Sequence, residues 1–241
     1  MDNTFTSLGL PFPLFEGLVS EAVEYGGIAT CSLCNESEQH CFNLDVGCAI
    51  MTECPGCAAL NGLDAADRED TKCRSCDVII RFPALDEEIQ VCYACLRRGN
   101  ATISKDTELG MISWEQAVEG ITHGRPSLSD DNFELVQTRD GLTGAKLSPD
   151  IMFELLCTPT YSTWQGERWQ FCCKHPMIFV GNWAREEFSA AAPDADGKTF
   201  FEQTVQDTVP GLWEEELHDE TGVYVFQCPH CERFTAHWDI A

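Results

Sequence analysis

Cysteine is the residue type whose number and spacing in this chain point most directly to chemistry. The chain has fifteen cysteines, and ten of them form pairs in which two residues separate the thiols. That spacing lets two sulfurs face one ion from a tight turn, and two such turns complete a tetrahedral zinc site. Without an export signal, so many cysteines indicate metal ligands rather than disulfides. The five pairs are Cys31/Cys34, Cys54/Cys57, Cys73/Cys76, Cys92/Cys95 and Cys228/Cys231.

The first four pairs predict two zinc sites. Fifteen residues separate Cys57 from Cys73, which fits the C-x2-C-x15–20-C-x2-C zinc pattern. In a nested arrangement this inner site is enclosed by an outer site made of the first and fourth pairs. In a cross-brace the first pair joins the third and the second joins the fourth, and in a sequential arrangement neighbouring pairs join. Spacing alone does not choose among the three, and we favour the nested arrangement.

The fifth pair, Cys228/Cys231, predicts a zinc ribbon. It lies between residues 222–227, rich in β-branched and aromatic side chains, and residues 233–238, which are expected to return as a second strand. This knuckle needs two more ligands, and no cysteine follows it.

The candidates for the two missing ligands are the adjacent Cys172 and Cys173. Side chains alternate along an extended segment, so Cys173 and His175 would point the same way and Cys172 would point the other way. We therefore expect Cys173, with Cys172 or His175, to complete the third site; the alternative is that both cysteines are simply buried. Two to three Zn²⁺ ions are predicted in all. The predicted ligands are Cys31, Cys34, Cys54, Cys57, Cys73, Cys76, Cys92, Cys95, Cys172, Cys173, Cys228 and Cys231.

Three cysteines stand outside these pairs. Cys41 and Cys48 are interpreted as buried free thiols, or one of them replaces a ligand. Cys157 falls in an apolar segment and is expected in the core.

Two helices are predicted between the cysteine-rich region and the ribbon. Ser113 begins a capping box with Gln116, followed by apolar residues at helical spacing, and Gly124 is expected to end this helix. Ser148 begins the second helix with Pro149 at its first position, and Thr158-Pro159 ends it. Residues 128–144 between them are interpreted as a loop or short helix.

These elements predict an α+β fold of small zinc-ribbon and knuckle modules with short antiparallel strands and a few short helices. Residues 1–100 are predicted to form a cysteine-rich zinc-binding region that begins with a non-repetitive arm over residues 1–30. Residues 101–241 are predicted to form an α+β region closed by the ribbon. The N-terminal residues lack the basic and apolar regions of a signal peptide, and no apolar run is long enough for a membrane span. A cytoplasmic protein is therefore expected.

The stretch TWQGERWQFCCKHPM, residues 163–177, places two tryptophans beside the adjacent cysteines. Trp164, Gln165, Glu167 and Trp169 can line a pocket. We instead expect both tryptophans in the core, with Glu167 and Arg168 in a surface turn.

Sequence motifs for catalysis are missing. The six histidines form neither H-E-x-x-H nor the deaminase H-x-E…P-C-x-x-C order, and the chain has no glycine-rich phosphate loop and no G-x-S-x-G. Zinc sites with four sulfur ligands are closed and leave no position for a catalytic water. A protein that is not an enzyme is expected.

The net charge of −25, from 40 acidic and 15 basic residues, indicates the class of partner. Direct nucleic-acid binding is disfavoured because it needs Lys and Arg to displace counterions. A basic protein partner is favoured. Further acidic clusters lie between the knuckles, at Asp64, Asp67, Glu69 and Asp70 and at Asp86, Glu87 and Glu88. The residues predicted to contact the partner are Asp130, Asp131, Glu134, Glu214, Glu215, Glu216, Asp219 and Glu220.

Several short motifs carry a family resemblance over most of the chain. They are Leu10-Pro11, Cys31-Ser32-Leu33-Cys34, Cys92-Tyr93-Ala94-Cys95 with Gly99-Asn100-Ala101, Pro159-x-Tyr161-x-x-Trp164-Gln165-Gly166-Glu167-x-Trp169, Cys173, Phe179-x-Gly181, Phe226-x-Cys228-x-x-Cys231 and Trp238-Asp239. In these motifs the chain resembles the CbrC family, bacterial proteins named after a colicin-tolerance protein. The second knuckle lacks the Pro and Trp of the family pattern, and Met177 stands where some members have another cysteine.

The resemblance leaves out residues 41–80, which look like an inserted second metal module. It supports the nested pairing, because shorter members close one site with the first and fourth pairs alone. Together with the charge, it implies an immunity protein that binds and neutralises a cognate bacterial toxin, in particular a basic nuclease. An acidic protein is steered quickly to the basic surface of such a toxin and can occlude it. The alternative is a zinc-ribbon adaptor or regulatory protein with an endogenous protein partner.

Overall fold

Two structural units make up the chain in the computed structural model, which describes residues 3–85, 87–129, 132–214 and 220–241. The continuous unit is Val23–Thr160, and the discontinuous unit is Met1–Ala22 with Tyr161–Ala241. Within the described ranges, no helix has both the length and the apolar character needed to cross a membrane.

Short antiparallel strands build the continuous unit. Its strands are β1 (Tyr25–Ala29), β2 (Gln39–Leu44), β3 (Cys48–Glu53), β4 (Leu60–Asp64), β5 (Thr71–Lys72), β6 (Ile79–Ile80), β7 (Ile89–Cys92), β8 (Ala101–Ile103), β9 (Lys105–Thr107), β10 (Leu109–Ile112), β11 (His123–Arg125), β12 (Glu134–Gln137) and β13 (Thr143–Lys146). Its helices are α1 (Tyr93–Arg97), α2 (Trp114–Glu119) and α3 (Pro149–Leu156). The strands pair as β1-β2-β7, β4-β3-β8, β11-β10-β9, β5-β6 and β12-β13.

Strands from both sides of residue 100 share one sheet in this unit. β8 begins at Ala101 and pairs with β3, so that Thr102 lies opposite Ala49. The predicted division into residues 1–100 and 101–241 therefore does not coincide with the division between Thr160 and Tyr161.

The start of α2 agrees with the predicted capping box, but its end does not agree with the predicted one. The Ser113 backbone N–H donates to Gln116 Oε1 over 3.1 Å. The helix ends at Glu119, five residues before Gly124, because Gly120 takes a left-handed conformation at φ 70°. A left-handed glycine is a common helix terminator since it lacks the Cβ that would clash there. α3 begins at Pro149 after Ser148, as predicted.

Residues 134–146 form a hairpin where a loop or short helix was expected. Glu134 lies opposite Lys146 and Gln137 opposite Thr143 across the β12-β13 pair. β12 has no buried residue, so no apolar alternation marks it as a strand in the sequence. Its pairing with β13, whose Gly144 and Ala145 are buried, holds it instead.

The discontinuous unit contains the predicted ribbon. Its elements are two short 3-10 turns (Thr6–Leu8 and Val19–Glu21), strands β14 (Phe171–Cys172), β15 (His175–Pro176), β16 (Ile178–Asn182), β17 (Thr221–Gln227) and β18 (Phe234–Ile240), and helices α4 (Arg185–Ala191) and α5 (Gly197–Thr204). β17 and β18 enclose the Cys228/Cys231 knuckle and pair along their whole length, with β16 on the other side of β17. The predicted strand–knuckle–strand arrangement is confirmed, and the whole structure confirms the predicted α+β fold class.

The two tryptophans of the 163–177 stretch have different environments. Trp169 is fully buried, and its indole N–H donates to the Met177 carbonyl over 3.0 Å. It packs against Tyr161, whose ring stacks on Phe179 with centroids 4.6 Å apart. Trp164 is 56% exposed, so the expectation that both tryptophans are core is wrong for Trp164.

Candidate metal centres

The structure brings the twelve predicted ligand cysteines together as three groups of four. In each group the Sγ atoms all lie within 4.8 Å of one another. Four sulfurs around one zinc ion, with Zn–S bonds of about 2.3 Å, lie about 3.8 Å apart. The groups are the outer tetrad (Cys31, Cys34, Cys92, Cys95), the inner tetrad (Cys54, Cys57, Cys73, Cys76) and the C-terminal tetrad (Cys172, Cys173, Cys228, Cys231).

Sulfur–sulfur distances in all three tetrads fit this geometry. Cys34 and Cys92 Sγ lie 3.8 Å apart, Cys57 and Cys73 Sγ 3.5 Å apart, and Cys172 and Cys231 Sγ 3.6 Å apart. All fifteen cysteines are free thiols. The grouping is the nested one, and each tetrad has the donor set to hold one metal ion.

Four of the five C-x-x-C pairs share one backbone turn. The N–H of the residue after the second cysteine donates to the carbonyl of the first cysteine, and the N–H of the first cysteine donates to the carbonyl one residue further on. The residue after the second cysteine is left-handed in each case, which costs a non-glycine residue about 1–2 kcal/mol. The turn brings both thiols towards one point, where binding of a shared metal ion would offset this conformational cost. These residues are Asn35 (φ 60°), Ala58 (φ 58°), Asp77 (φ 58°) and Glu232 (φ 59°).

The Cys92/Cys95 pair is built differently, at the start of a helix. Cys92 ends β7 and is the N-cap residue of α1, and Cys95 lies within α1. The Cys92 N–H donates to Cys31 Sγ over 3.3 Å, which joins the two halves of the outer tetrad directly.

The C-terminal tetrad uses Cys172 and Cys173 together, and His175 is outside it. The premise of an extended segment is wrong here. Cys173 (φ 56°) and Lys174 (φ 61°) form the two-residue turn of the β14-β15 hairpin, in which Cys172 lies opposite His175. Cys173 is itself left-handed, so its side chain does not point opposite to that of Cys172 as it would in a strand, and both thiols can face the knuckle. Arg233 Nη2 donates to Cys172 Sγ over 3.3 Å.

Each tetrad contains one thiol with a lowered pKa. Burial raises the pKa of Cys31, but N–H groups led by that of Cys92 donate to its sulfur and bring the pKa down to about 7. The Ser75 N–H lowers the pKa of Cys73 to about 6, and the Arg233 N–H lowers that of Cys231 to about 7. Thiolates, not thiols, bind metals, so these lowered pKa values favour the form of the cysteine that a metal needs.

Cys41, Cys48 and Cys157 are buried and belong to no tetrad. Burial raises the pKa of each to about 11, which keeps the thiols neutral. Cys41 is nevertheless next to the outer tetrad, because it lies opposite Cys92 in the β2-β7 pair.

We expect the purified protein to hold three zinc ions per chain, one for each tetrad. Tetrahedral four-sulfur sites take zinc or iron, and zinc leaves the protein colourless. Elemental analysis of protein purified without chelators measures the ratio. Two ions or fewer per chain would contradict the assignment of one ion to each tetrad.

Three of the eight residues predicted to contact a partner lie within the described ranges, one in the continuous unit and two in the discontinuous unit. Asp130, Asp131, Glu215, Glu216 and Asp219 lie outside the described residues. Glu134 is exposed and pairs with Lys146, 3.3 Å away, Glu214 pairs with Lys198, and Glu220 is exposed. The described members on β12 and near α5 are thus partly neutralised by lysines.

A different set of acidic residues converges in the continuous unit. A cavity of about 660 Å³ is lined by six carboxylates, together with Trp114, His123 and other side chains, and no lysine or arginine belongs to its described lining. Four of the six lie between the two knuckles of the inner tetrad and were visible in the sequence as an acidic cluster. Glu115 and Asp140 join them only through the fold, from α2 and the β12-β13 turn. The carboxylates are Asp64, Asp67, Glu69, Asp70, Glu115 and Asp140.

In the discontinuous unit, a buried carboxylate holds the turn that carries Trp164. Asp239 Oδ2 accepts the N–H groups of Trp164 (3.1 Å) and Gln165 (3.0 Å), and Oδ1 accepts the Tyr224 hydroxyl (2.8 Å). Asp239 is 6% exposed. Beyond the turn, the Arg168 N–H donates to the Tyr161 hydroxyl, so the segment is fixed at both ends. The exposed tryptophan is therefore presented on a rigid turn.

Comparison with known proteins places the chain in a family. The UPF0167 protein PA1536 of Pseudomonas aeruginosa is 31% identical over 107 residues, which are 41% of this chain and 56% of that protein. The alignment thus spans a little over half of the relative's length. No solved structure is significantly similar to this chain. A family model described as "Uncharacterised protein family (UPF0167)" matches residues 61–240 and includes eight of the twelve tetrad cysteines. Because this match covers most of the chain, the protein belongs to the UPF0167 family.

Proposed function

We propose that this is a non-catalytic, zinc-stabilised protein that binds a basic protein partner, and that it acts as an immunity protein neutralising a bacterial toxin of the basic nuclease class. The acidic cavity of the continuous unit carries the proposal. Its six carboxylates share about 660 Å³ without a lysine or arginine in the described lining. Carboxylates that line one cavity make its electrostatic potential negative, and this potential attracts a lysine- or arginine-bearing segment of a partner.

The metal centres support the acidic character. A zinc ion with four thiolates has a net charge of about −2, since the thiolates replace neutral thiols. The inner tetrad ties both ends of the segment that carries four of the cavity carboxylates. Formation of the zinc–thiolate site therefore makes this segment more negative and also fixes the cavity wall.

The composition of the tetrads supports a non-catalytic role. Four sulfur ligands fill the tetrahedral positions of a zinc ion and leave none for a substrate or a water. The ions then stabilise the fold, and the protein functions through a surface that binds its partner. Trp164 offers a second kind of contact there, because exposed tryptophans on rigid turns are frequent anchors of protein interfaces.

The proposal is tested by co-expressing the protein with a basic nuclease encoded beside its gene and assaying DNA degradation. Suppressed degradation and a complex on gel filtration are expected. An active nuclease with no complex would overturn the immunity role. A complex with an endogenous protein instead would favour the adaptor alternative.

Charge reversal locates the docking surface. We expect the double variant Asp67→Lys/Glu69→Lys to weaken nuclease binding about 10–100-fold, mostly through the association rate, because both residues line the acidic cavity. The matched control is Glu36→Lys/Glu38→Lys, which makes the same charge change at exposed residues outside the cavity lining. Stopped-flow association at several salt concentrations measures both. Equal effects of the two double variants would show that net charge, not the cavity, attracts the partner.

A further inference from the structure

Two histidines meet beside the C-terminal tetrad and take no part in it. His175 begins β15, opposite Cys172, and His230 lies in the knuckle between Cys228 and Cys231. Their ring centroids are 5.0 Å apart and their planes are nearly perpendicular, at 88°. His175 was a candidate ligand of the tetrad itself, and the structure assigns that position to a cysteine.

The orientation of His175 leaves one ring nitrogen available as a ligand. Its Nδ1 lies 2.7 Å from the Pro176 carbonyl oxygen. A carbonyl can only accept a hydrogen bond, so Nδ1 carries the proton and Nε2 keeps its lone pair. Metal-binding histidines are commonly fixed in this way, with the second nitrogen donating to a carbonyl or carboxylate.

The knuckle fixes the backbone of His230. Its backbone N–H donates to Cys228 Sγ over 3.4 Å, within the turn that the other knuckles share. The side chain is exposed, so an ion from solution can reach it. Both histidines are thus held by the elements that form the C-terminal tetrad.

We propose that His175 and His230 form a fourth metal site, open and exchangeable, for a divalent transition-metal ion such as Zn²⁺. Two imidazoles bound to one tetrahedral ion have ring centroids about 5 Å apart, because each N–metal bond is about 2.1 Å long. The neighbouring tetrad, loaded with zinc, has a net negative charge that attracts a second cation, although Arg233 offsets part of it. Water or a ligand from another molecule completes the coordination, which distinguishes this site from the closed tetrads.

The test measures zinc binding beyond the three tetrad ions. Zinc-loaded protein is dialysed to equilibrium against micromolar free Zn²⁺, and bound zinc is counted by elemental analysis. Wild type is expected to hold one equivalent more than His175→Ala and His230→Ala, while all three keep the tetrad ions and the same melting temperature. The control His40→Ala, a histidine hydrogen-bonded to Tyr25 far from this tetrad in sequence, is expected to match wild type.

Nitrogen NMR of the imidazoles supplies a second readout. On zinc addition the Nε2 resonance of His175 should shift while Nδ1 stays protonated. If wild type binds no additional zinc, or if His175→Ala binds as much as wild type, the proposal is wrong and the two rings make only an aromatic contact.

Discussion

Replacing Cys92 with alanine is expected to remove one zinc ion and unfold the continuous unit. Cys92 is a ligand of the outer tetrad, the last residue of β7 and the N-cap residue of α1. Its N–H also donates to Cys31 Sγ. Structural zinc sites contribute about 10–16 kcal/mol of apparent binding energy that is coupled to folding. That is comparable to the whole stability of a typical domain, about 5–15 kcal/mol, and three thiolates hold zinc poorly.

Cys41→Ala is the matched control for this prediction. Cys41 is buried like Cys92 and lies directly opposite it, but it is not a tetrad member. Loss of its sulfur leaves a small cavity, with a cost of about 1–2 kcal/mol. The control should keep three ions and a cooperative unfolding transition. Zinc analysis, circular dichroism and limited proteolysis of both variants test whether only Cys92→Ala loses zinc and unfolds the continuous unit. If Cys92→Ala has the zinc content and melting temperature of wild type, the outer tetrad is not a structural zinc site.

The sequence carried most of the information about which cysteines are candidate ligands because cysteine spacing is a local property, whereas the pairing of distant cysteines is not local. Two residues between thiols suit one turn, and the fifteen residues between Cys57 and Cys73 suit one module. The C-terminal tetrad was harder to predict. The turn at Cys173 and Lys174 needs two left-handed residues, and neither is the glycine or asparagine that usually marks such a turn. A strand was therefore assumed where the chain reverses.

Features that depend on the packing of distant segments could not be predicted. The sequence shows Asp64–Asp70 as an acidic cluster, but the addition of Glu115 and Asp140 to the same cavity requires the fold. Trp164 and Trp169 have the same residue type and similar neighbours in sequence. Their burial differs because Asp239, seventy-five residues after Trp164, holds the turn of Trp164 outside the core.

Asp239→Ala is expected to destabilise the discontinuous unit by about 2–3 kcal/mol, because it removes the acceptor of three hydrogen bonds and leaves one buried donor unsatisfied. Three donors lose their acceptor: the Trp164 N–H, the Gln165 N–H and the Tyr224 hydroxyl. The two N–H groups lie at the exposed turn and can turn to water, whereas Tyr224 is buried. The Trp164 turn should loosen, and quenching of tryptophan fluorescence by acrylamide should increase. Denaturant unfolding measures the free energy of unfolding, and zinc content should remain at three ions.

Asp239→Asn separates hydrogen bonding from charge. The asparagine oxygen can still accept the two turn N–H groups, and its amide can donate to the Tyr224 oxygen after the tyrosine hydroxyl rotates. We therefore expect a cost of only about 1 kcal/mol for Asn, with a rigid Trp164 turn and normal partner binding. If the proposed nuclease partner contacts Trp164, the alanine variant should bind it more weakly at temperatures where the variant is still folded, because the exposed tryptophan is no longer preorganised. Equal stability of the alanine and asparagine variants would mean that the hydrogen bonds of Asp239 do not hold the turn. Trp164 would then not be a rigidly held contact residue.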